Sequence, residues 1–168
     1  TKMRDSLEHR GHDDKGLFIE NNIGLGHRRL SILDVSSAGH QPFVSDDGRY
    51  VMTYNGEIYN FKDFYPELKT NGFDIRTSSD TEVLLKLYEL HGTKMLNRLN
   101  GMYAFVIWDK KERKLTAVRD RMGVKPLYYS FYNETFYFAS EQKALFTAGV
   151  PLKMAKDGME EYIFNRFV

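Results

Sequence analysis

Charged and turn-forming residues crowd the ends of predicted strands in this 168-residue chain, and their types suit the chemistry of charged ligands. Arg28 and Arg29 lie in an apolar, alternating stretch, where the two-residue period of a strand turns one of them inward. An inward guanidinium needs a carboxylate or a ligand, because an unpaired buried charge is costly. Asp34 or another acid could also supply a purely structural ion pair, so the arginines alone leave both interpretations open.

Asn55, Gly56 and Glu57 form a second group at the end of the strand-like run RYVMTYNG. Asn-Gly after alternating apolar residues favours a hairpin turn, yet the following residues favour a short helix in place of a returning strand. Asp80 stands at the start of the next predicted helix. Each of these positions also has a structural explanation, as a tight turn, a solvated acid or a helix cap.

The composition and the motif search exclude several classes of protein. The net charge is +1, so no broad field favours nucleic acid or a membrane surface, and no apolar run is long enough to cross a bilayer. The chain has no cysteine, which excludes disulfides and thiolate metal sites and suits a cytoplasmic protein. We find no phosphate-binding or dinucleotide fingerprint, no serine-nucleophile motif and no metal-ligand spacing among the five histidines.

Hydrophobic patterns predict an α+β protein with antiparallel sheets, because hairpins outnumber strand-helix-strand crossovers. Two strands flank an Asn21-Asn22 turn, and two further strand-turn-strand units follow in the second half of the chain. The clearest helix is SSDTEVLLKLYELHG, with a capping box formed by Ser79 and Glu82. A shorter helix before it accommodates Pro66 in its first turn if Asp63 is the cap.

The order of seven motifs resembles the class II glutamine amidotransferase domain of asparagine synthetase and its close relatives. The motifs cover nearly the whole chain and are LEHRGHDDKG, LGHRRLSILDVSSAGHQPF, YNGEIYNF, SSDTEVLL, LNGMYAFVIWD, RDRMGVKPLYY and FASEQKAL. The resemblance implies a four-layer α-β-β-α sandwich of the N-terminal-nucleophile hydrolase kind, with two stacked antiparallel sheets. It also implies hydrolysis of glutamine to glutamate, with ammonia passed to an ATP-dependent synthetase domain.

The resemblance also assigns roles to residues of this chain, and the chemistry of glutamine explains them. Asn55, through its side-chain amide, and Gly56, through its backbone N–H, would form the oxyanion hole that stabilises the tetrahedral intermediate. The α-carboxylate and the α-ammonium of glutamine need a cation and acids respectively, and the pocket is completed by backbone groups. The expected substrate-binding residues are Arg29 for the carboxylate, Glu57 and Asp80 for the ammonium, and Leu30, Ser31, Ile32 and Leu33 for the backbone contacts.

The family nucleophile is an N-terminal cysteine, which this sequence lacks. By alignment the chain starts downstream of that position, so we expect the cysteine and its strand in a preceding segment. Thr1 precedes a helix pattern and is a poor substitute. His12 also departs from the family, which usually has proline there.

The same resemblance divides the chain into an amidotransferase domain over residues 1–150 and a helix or linker over residues 151–168. ATP and magnesium are expected only in the following synthetase domain, with no cofactor or metal in this one. L-Glutamine and the synthetase domain are the expected partners, without nucleic acid or membrane, and a homodimer is one assembly left open. Two alternatives remain: a non-catalytic glutamine-binding or scaffolding domain, and an amidotransferase with another acceptor, as in polysaccharide or antibiotic pathways.

Overall fold

A four-stranded antiparallel sheet lies at the centre of the computed structural model, which describes residues 1–30, 39–153 and 156–165. Its strands follow the order β3-β4-β5-β6. The longest ladder joins β4 and β5, from the pair Tyr50–Asp109 to the pair Ile58–Gly101. The four strands are β3 (Phe43–Val44), β4 (Tyr50–Ile58), β5 (Gly101–Asp109) and β6 (Lys114–Arg119).

Two antiparallel hairpins lie on one face of this sheet. The first turns at Asn21, whose φ of 51° suits a tight turn, and the second turns at Asn133 and Glu134. Within the described ranges the two hairpins form separate antiparallel ladders in the layer that stacks on the central sheet. Their strands are β1 (Asp14–Glu20), β2 (Ile23–Arg29), β7 (Tyr128–Tyr132) and β8 (Thr135–Ala139).

The helices complete the layers on both outer sides. The predicted helical segments are present, with short 3-10 turns at Glu8–Arg10, Phe61–Phe64 and Gly92–Asn97. The predicted Gly92 stop is confirmed, since Gly92 ends α3 with a φ of 56°. The α-helices are α1 (Lys2–Asp5), α2 (Tyr65–Thr70), α3 (Asp80–His91), α4 (Gln142–Thr147) and α5 (Lys156–Asn165).

Three apolar clusters define the stacking of these layers. One face of the central sheet packs against α2 and α3, through residues such as Met52, Phe105 and Leu84. The opposite face, with Val51 and Trp108, packs against both hairpins. The outer side of the β7–β8 hairpin packs in turn against α1 and α4. The order of layers is therefore helix, sheet, hairpins, helix, which confirms the predicted α+β class with four layers.

The Asn-Gly turn predicted at residues 55 and 56 is wrong. Strand β4 continues without a bulge through both residues to Ile58, because each residue pairs with a partner on β5. Local turn preference loses here to a nine-residue ladder in the core.

Two predicted helix caps also differ from the structure. Ser79 does cap α3, but its Oγ accepts from the N–H of Thr81, and Glu82 reaches back to the loop before Ser79. Asp63 is not the cap of α2, since that helix begins after the 3-10 turn without a side-chain cap. Pro66 does lie in the first turn of α2, as predicted.

Candidate active site

A cleft of about 620 Å³ opens between the central sheet and the two hairpins. It is lined by every predicted site residue that the structure describes, namely Arg29, Leu30, Asn55, Gly56, Glu57 and Asp80. These residues come from β2, from β4 and from the start of α3, so three elements converge on one space. Ser31, Ile32 and Leu33 lie outside the described residues, so their roles stay predictions.

Asn55 places an unused hydrogen-bond donor in this region. Its Nδ2 atom is buried, and it has no hydrogen-bond partner among the described residues. A buried amide without a partner costs roughly 1–3 kcal/mol, so native proteins rarely keep one without a reason. Alternation along β4 puts Asn55 on the same face as Thr53 and Glu57, which line the cleft with it. This donor is therefore available to an acceptor that enters the cleft.

The backbone N–H of Gly56 points to the edge of β4 that faces away from β5. Two residues to either side, Tyr54 N–H donates to Gln41 Oε1 at 2.7 Å and Ile58 N–H donates to Asp80 Oδ2 at 2.9 Å. Alternate residues of a strand present their N–H groups to the same edge. The N–H of Gly56 consequently points to the same edge and lies between the N–H groups of Tyr54 and Ile58, which are already bonded to Gln41 and Asp80.

Glycine is required at position 56 by the neighbouring strand as well as by access to the cleft. A Cβ atom there would lie 2.2 Å from the carbonyl oxygen of Met102 and 2.7 Å from the Cα of Tyr103. The φ of Gly56 is +156°, which other residues rarely adopt. The close approach of β5 therefore excludes any side chain at position 56, so the residue's own side chain cannot shield this N–H.

Asp80 is buried at the start of α3, with 4% of its surface exposed. Its Oδ2 accepts from the Tyr54 hydroxyl at 2.7 Å and from the Ile58 N–H at 2.9 Å. Burial raises the pKa of Asp80 above its usual value, and these hydrogen bonds offset only part of that rise. The Glu57 carboxylate, by contrast, has no hydrogen bond or ion pair to any residue of the described ranges.

The two adjacent arginines have separate tasks. Arg28 donates to Asp5 at 2.8 Å and lies 3.6 Å from Glu8, so it joins β2 to the N-terminal helical turns. Arg29 lines the cleft, and its guanidinium packs so closely on Gly39 that a Cβ there would meet Nη2 at 2.0 Å. Both arginines border the cleft, and strand alternation turns their guanidinium groups toward different partners.

His27 is a cleft residue that the sequence did not single out. Burial, together with the nearby Arg29 charge, lowers its pKa from 6.5 to about 4, so the imidazole is neutral near pH 7. Its Nδ1 lies 3.2 Å from the hydroxyl of Thr53. Two residues before Arg29 on one strand, His27 could have been found from the same period-two argument.

The RDRMGVKPLYY motif forms a bonded loop beside the cleft. Buried Asp120 accepts from the N–H groups of Val124 and Lys125, both at 2.9 Å, and Arg119 donates to carbonyl oxygens of the same loop. Lys125, Pro126 and Leu127 then line the cleft. The turn therefore shapes one wall of the site.

Apolar side chains of both hairpins also line the cleft. Leu17, Ile19 and Phe136 are among them, although 41%, 68% and 40% of their surfaces are exposed. Residues of β2 and β8 line the same cleft, and each strand pairs only with its own hairpin partner in the residues described. The cleft thus combines exposed apolar side chains with strands that have one edge unpaired by any described strand.

Comparison with known proteins identifies the family. A model of the glutamine amidotransferase domain matches residues 1–168. This chain belongs to that family. Among curated relatives, asparagine synthetase [glutamine-hydrolyzing] 1 of Bacillus subtilis is 41% identical over 167 residues, which cover 99% of this chain and 26% of the relative. A putative asparagine synthetase [glutamine-hydrolyzing] of Methanocaldococcus jannaschii is 41% identical over 190 residues, covering 100% of this chain and 36% of that protein.

Solved structures show the same fold. Glutamine phosphoribosylpyrophosphate amidotransferase from B. subtilis superposes with a TM-score of 0.63 at 27% identity, over 75% of this chain and 29% of that one. This similarity and the observed layers confirm the predicted N-terminal-nucleophile sandwich. The amidotransferase domain described here spans about a quarter to a third of the length of these relatives.

Two further findings bear on the site and its setting. In the described parts of the chain, no group of three or more histidine and acidic side chains is arranged to hold a metal ion. No helix in those parts is both long and apolar enough to cross a membrane.

Proposed function

We propose that this amidotransferase domain binds L-glutamine in the cleft and is the glutaminase half of an asparagine-synthetase-type enzyme. The observation that carries the proposal is a pair of donors at the cleft: Asn55 Nδ2 has no acceptor among the described residues, and the Gly56 N–H points to the edge of β4 that faces away from β5. Such preorganised donors suit the oxyanion of a tetrahedral intermediate, where each is worth roughly 3–4 kcal/mol.

The charges around these donors suit the two ends of glutamine. Arg29 would bind the α-carboxylate through its planar guanidinium, while Glu57 and Asp80 would bind the α-ammonium. His27 is neutral near pH 7 and lines the same cleft, so it adds no second positive charge beside the ammonium. Backbone groups from Leu30 onward would close the pocket around the side-chain amide.

We propose further that the nucleophile reaches the cleft on a strand from a preceding segment. Within the described residues β2 and β8 line the cleft with one strand neighbour each, beside exposed apolar side chains, and an added strand needs such an edge and such side chains. A cysteine at the start of that strand would attack the amide, with its own α-amine as base. Residues 151–168 would then lead to a synthetase domain that binds ATP and magnesium and amidates aspartate.

Glutamate release by the encoded protein, tested with its own upstream segment, decides the proposal. We expect glutaminase activity in the wild type, and a loss in kcat of about 10²–10³ in Asn55→Ala, because one oxyanion donor is removed. Arg29→Ala should mainly raise KM, since it removes binding common to ground and transition states. Asn60→Ala is the matched control, because Asn60 donates to the carbonyl oxygen of Arg98 outside the cleft and should leave both constants unchanged.

The alternative function gives a different result in the same experiments. A binding module without a nucleophile would bind glutamine in a calorimetric titration of this chain and release no glutamate from the longer protein. Unchanged turnover in Asn55→Ala would refute the oxyanion assignment. Absence of both binding and hydrolysis in the wild type would refute the proposal as a whole.

A further inference from the structure

Tyr54 connects the hydrophobic core to the cleft. Its ring is 4% exposed and packs in the cluster between the central sheet and the helices α2 and α3. Its hydroxyl donates to Asp80 Oδ2 at 2.7 Å, while its backbone N–H donates to Gln41 Oε1. The residue is therefore held at both its backbone and its hydroxyl.

Two donors meet on a single oxygen of Asp80. The Tyr54 hydroxyl and the Ile58 N–H both bind Oδ2, and neither occupies Oδ1. A carboxylate held by two donors on one oxygen cannot rotate freely, so the direction of the other oxygen is set as well. Short O–H···O⁻ bonds of this kind are also among the stronger hydrogen bonds.

The surroundings of Asp80 make this donor consequential. Burial disfavours the charged carboxylate, and the bond from Tyr54 is the largest of the effects that favour it. The other titratable groups nearby are Glu57 and Tyr59, whose charges act on Tyr54, Glu82 on α3, and Arg29 from β2 in the wall of the same cleft. Burial opposes a negative Asp80, so loss of one donor should shift Asp80 toward its protonated form.

We propose that Tyr54 is a positioning residue, which keeps the Asp80 carboxylate ionised and directed at the ammonium group of the substrate. The inference rests on the proposed binding of glutamine in this cleft. In this role Tyr54 touches no substrate atom. It acts through Asp80, and its effect should therefore depend on pH.

Tyr54→Phe tests the proposal, because it removes the hydroxyl and keeps the buried ring. Glutamine affinity of this chain would be measured by calorimetric titration between about pH 5.5 and 8.5. We expect the Kd of Tyr54→Phe to exceed that of wild type increasingly toward the acidic end of this range, by up to about tenfold for a rise of one pH unit in the Asp80 midpoint, and to approach wild type at the alkaline end as Asp80 ionises. Asp80→Asn should bind weakly at every pH, since an amide carries no charge.

Tyr88→Phe is the matched control. Its hydroxyl bonds to Thr116 Oγ1 at 2.9 Å, and Tyr88 lies in the same apolar cluster, away from the cleft. A loss of affinity shared by both Phe variants would indicate a general packing effect and overturn the inference. Identical pH profiles for Tyr54→Phe and wild type would also overturn it.

The outcomes separate this inference from the proposed function. A wild-type chain that does not bind glutamine contradicts the proposed function, whereas binding with no pH-dependent effect of Tyr54→Phe contradicts only the role of Tyr54. If Tyr54→Phe is destabilised, a ¹³C carboxyl titration of Asp80 in the folded fraction gives the same answer. We expect its midpoint to rise by about one pH unit, and an unchanged midpoint would refute the inference.

Discussion

Glu82 is the residue whose replacement tests most sharply how this fold holds the start of α3. Its side chain is 2% exposed and accepts hydrogen bonds from Arg76 N–H at 3.1 Å, from Thr77 N–H at 2.7 Å and from the Thr77 hydroxyl at 2.8 Å. Lys86 Nζ, on the same helix, lies 3.2 Å away and is 5% exposed. Burial raises the pKa of Glu82, but these donors outweigh it and lower the pKa overall.

Glu82→Gln keeps the volume of the side chain and removes its charge. Hydrogen bonds to a charged group contribute roughly 1.5–3 kcal/mol each. In Glu82→Gln the new side-chain amide keeps one acceptor oxygen, while its NH₂ group faces the donors of Arg76 and Thr77. We therefore expect a loss in the free energy of unfolding of about 3 kcal/mol. For a domain of this size that corresponds to a decrease in Tm of about 6–12 °C.

Urea and thermal unfolding, followed by circular dichroism, measure this change. Glu112→Gln is the control. Glu112 is exposed and its ion pair with Arg49 is long, at 3.9 Å, so loss of that ion pair should cost less than about 1 kcal/mol. The double variant Glu82→Gln/Lys86→Met should show a coupling of about 1–2 kcal/mol, since the two side chains share a buried contact. Equal Tm values for Glu82→Gln and Glu112→Gln would refute the reasoning.

Two further predictions concern the cleft. In urea unfolding, Gly56→Ala should lower the free energy of unfolding by at least about 2 kcal/mol, because the new Cβ would meet backbone atoms of β5 and the φ is unfavourable. The control Gly24→Ala, where the Cβ would enter open space, should change it by less than about 1 kcal/mol. His27 is neutral in the folded state, so the unfolded chain takes up its proton first as the pH falls. The free energy of unfolding should therefore fall between about pH 6.5 and pH 4, by up to about 3 kcal/mol from His27. Chemical unfolding across that range should show less of this loss in His27→Gln than in the exposed control His12→Gln. Equal acid sensitivity of these two variants would show that His27 is not the group responsible.

Much of the fold followed from local patterns. The helix α3 was predicted from its apolar stripe and its Gly92 stop, and the first hairpin from alternation around Asn21-Asn22. Each of these patterns depends on residues within about a dozen positions of one another, so distant contacts do not change the structure that it predicts. The predicted turn at Asn55-Gly56 failed because the ladder with β5, some 50 residues away in sequence, outweighs a dipeptide preference.

The residues of the candidate site were likewise predicted in part from the sequence. Motif order indicated Asn55, Gly56, Glu57 and Asp80 together with Arg29, and the structure brings all five to one cleft. His27 was not singled out, although it lies two residues before Arg29 on the same strand, and its low pKa depends on burial and on the Arg29 charge in the folded chain.

The sequence by itself determined which groups were available: a donor amide, a glycine, two acids and a pair of arginines within recognisable motifs. Only the tertiary structure decided that Arg28 pairs with Asp5 while the guanidinium of Arg29 packs on Gly39, and that Tyr54 reaches across to Asp80. The physical reason is that a sheet edge, a helix start and a hairpin face meet through long-range packing. Period two divides a strand into two faces, and the neighbouring layers determine which face borders the cleft.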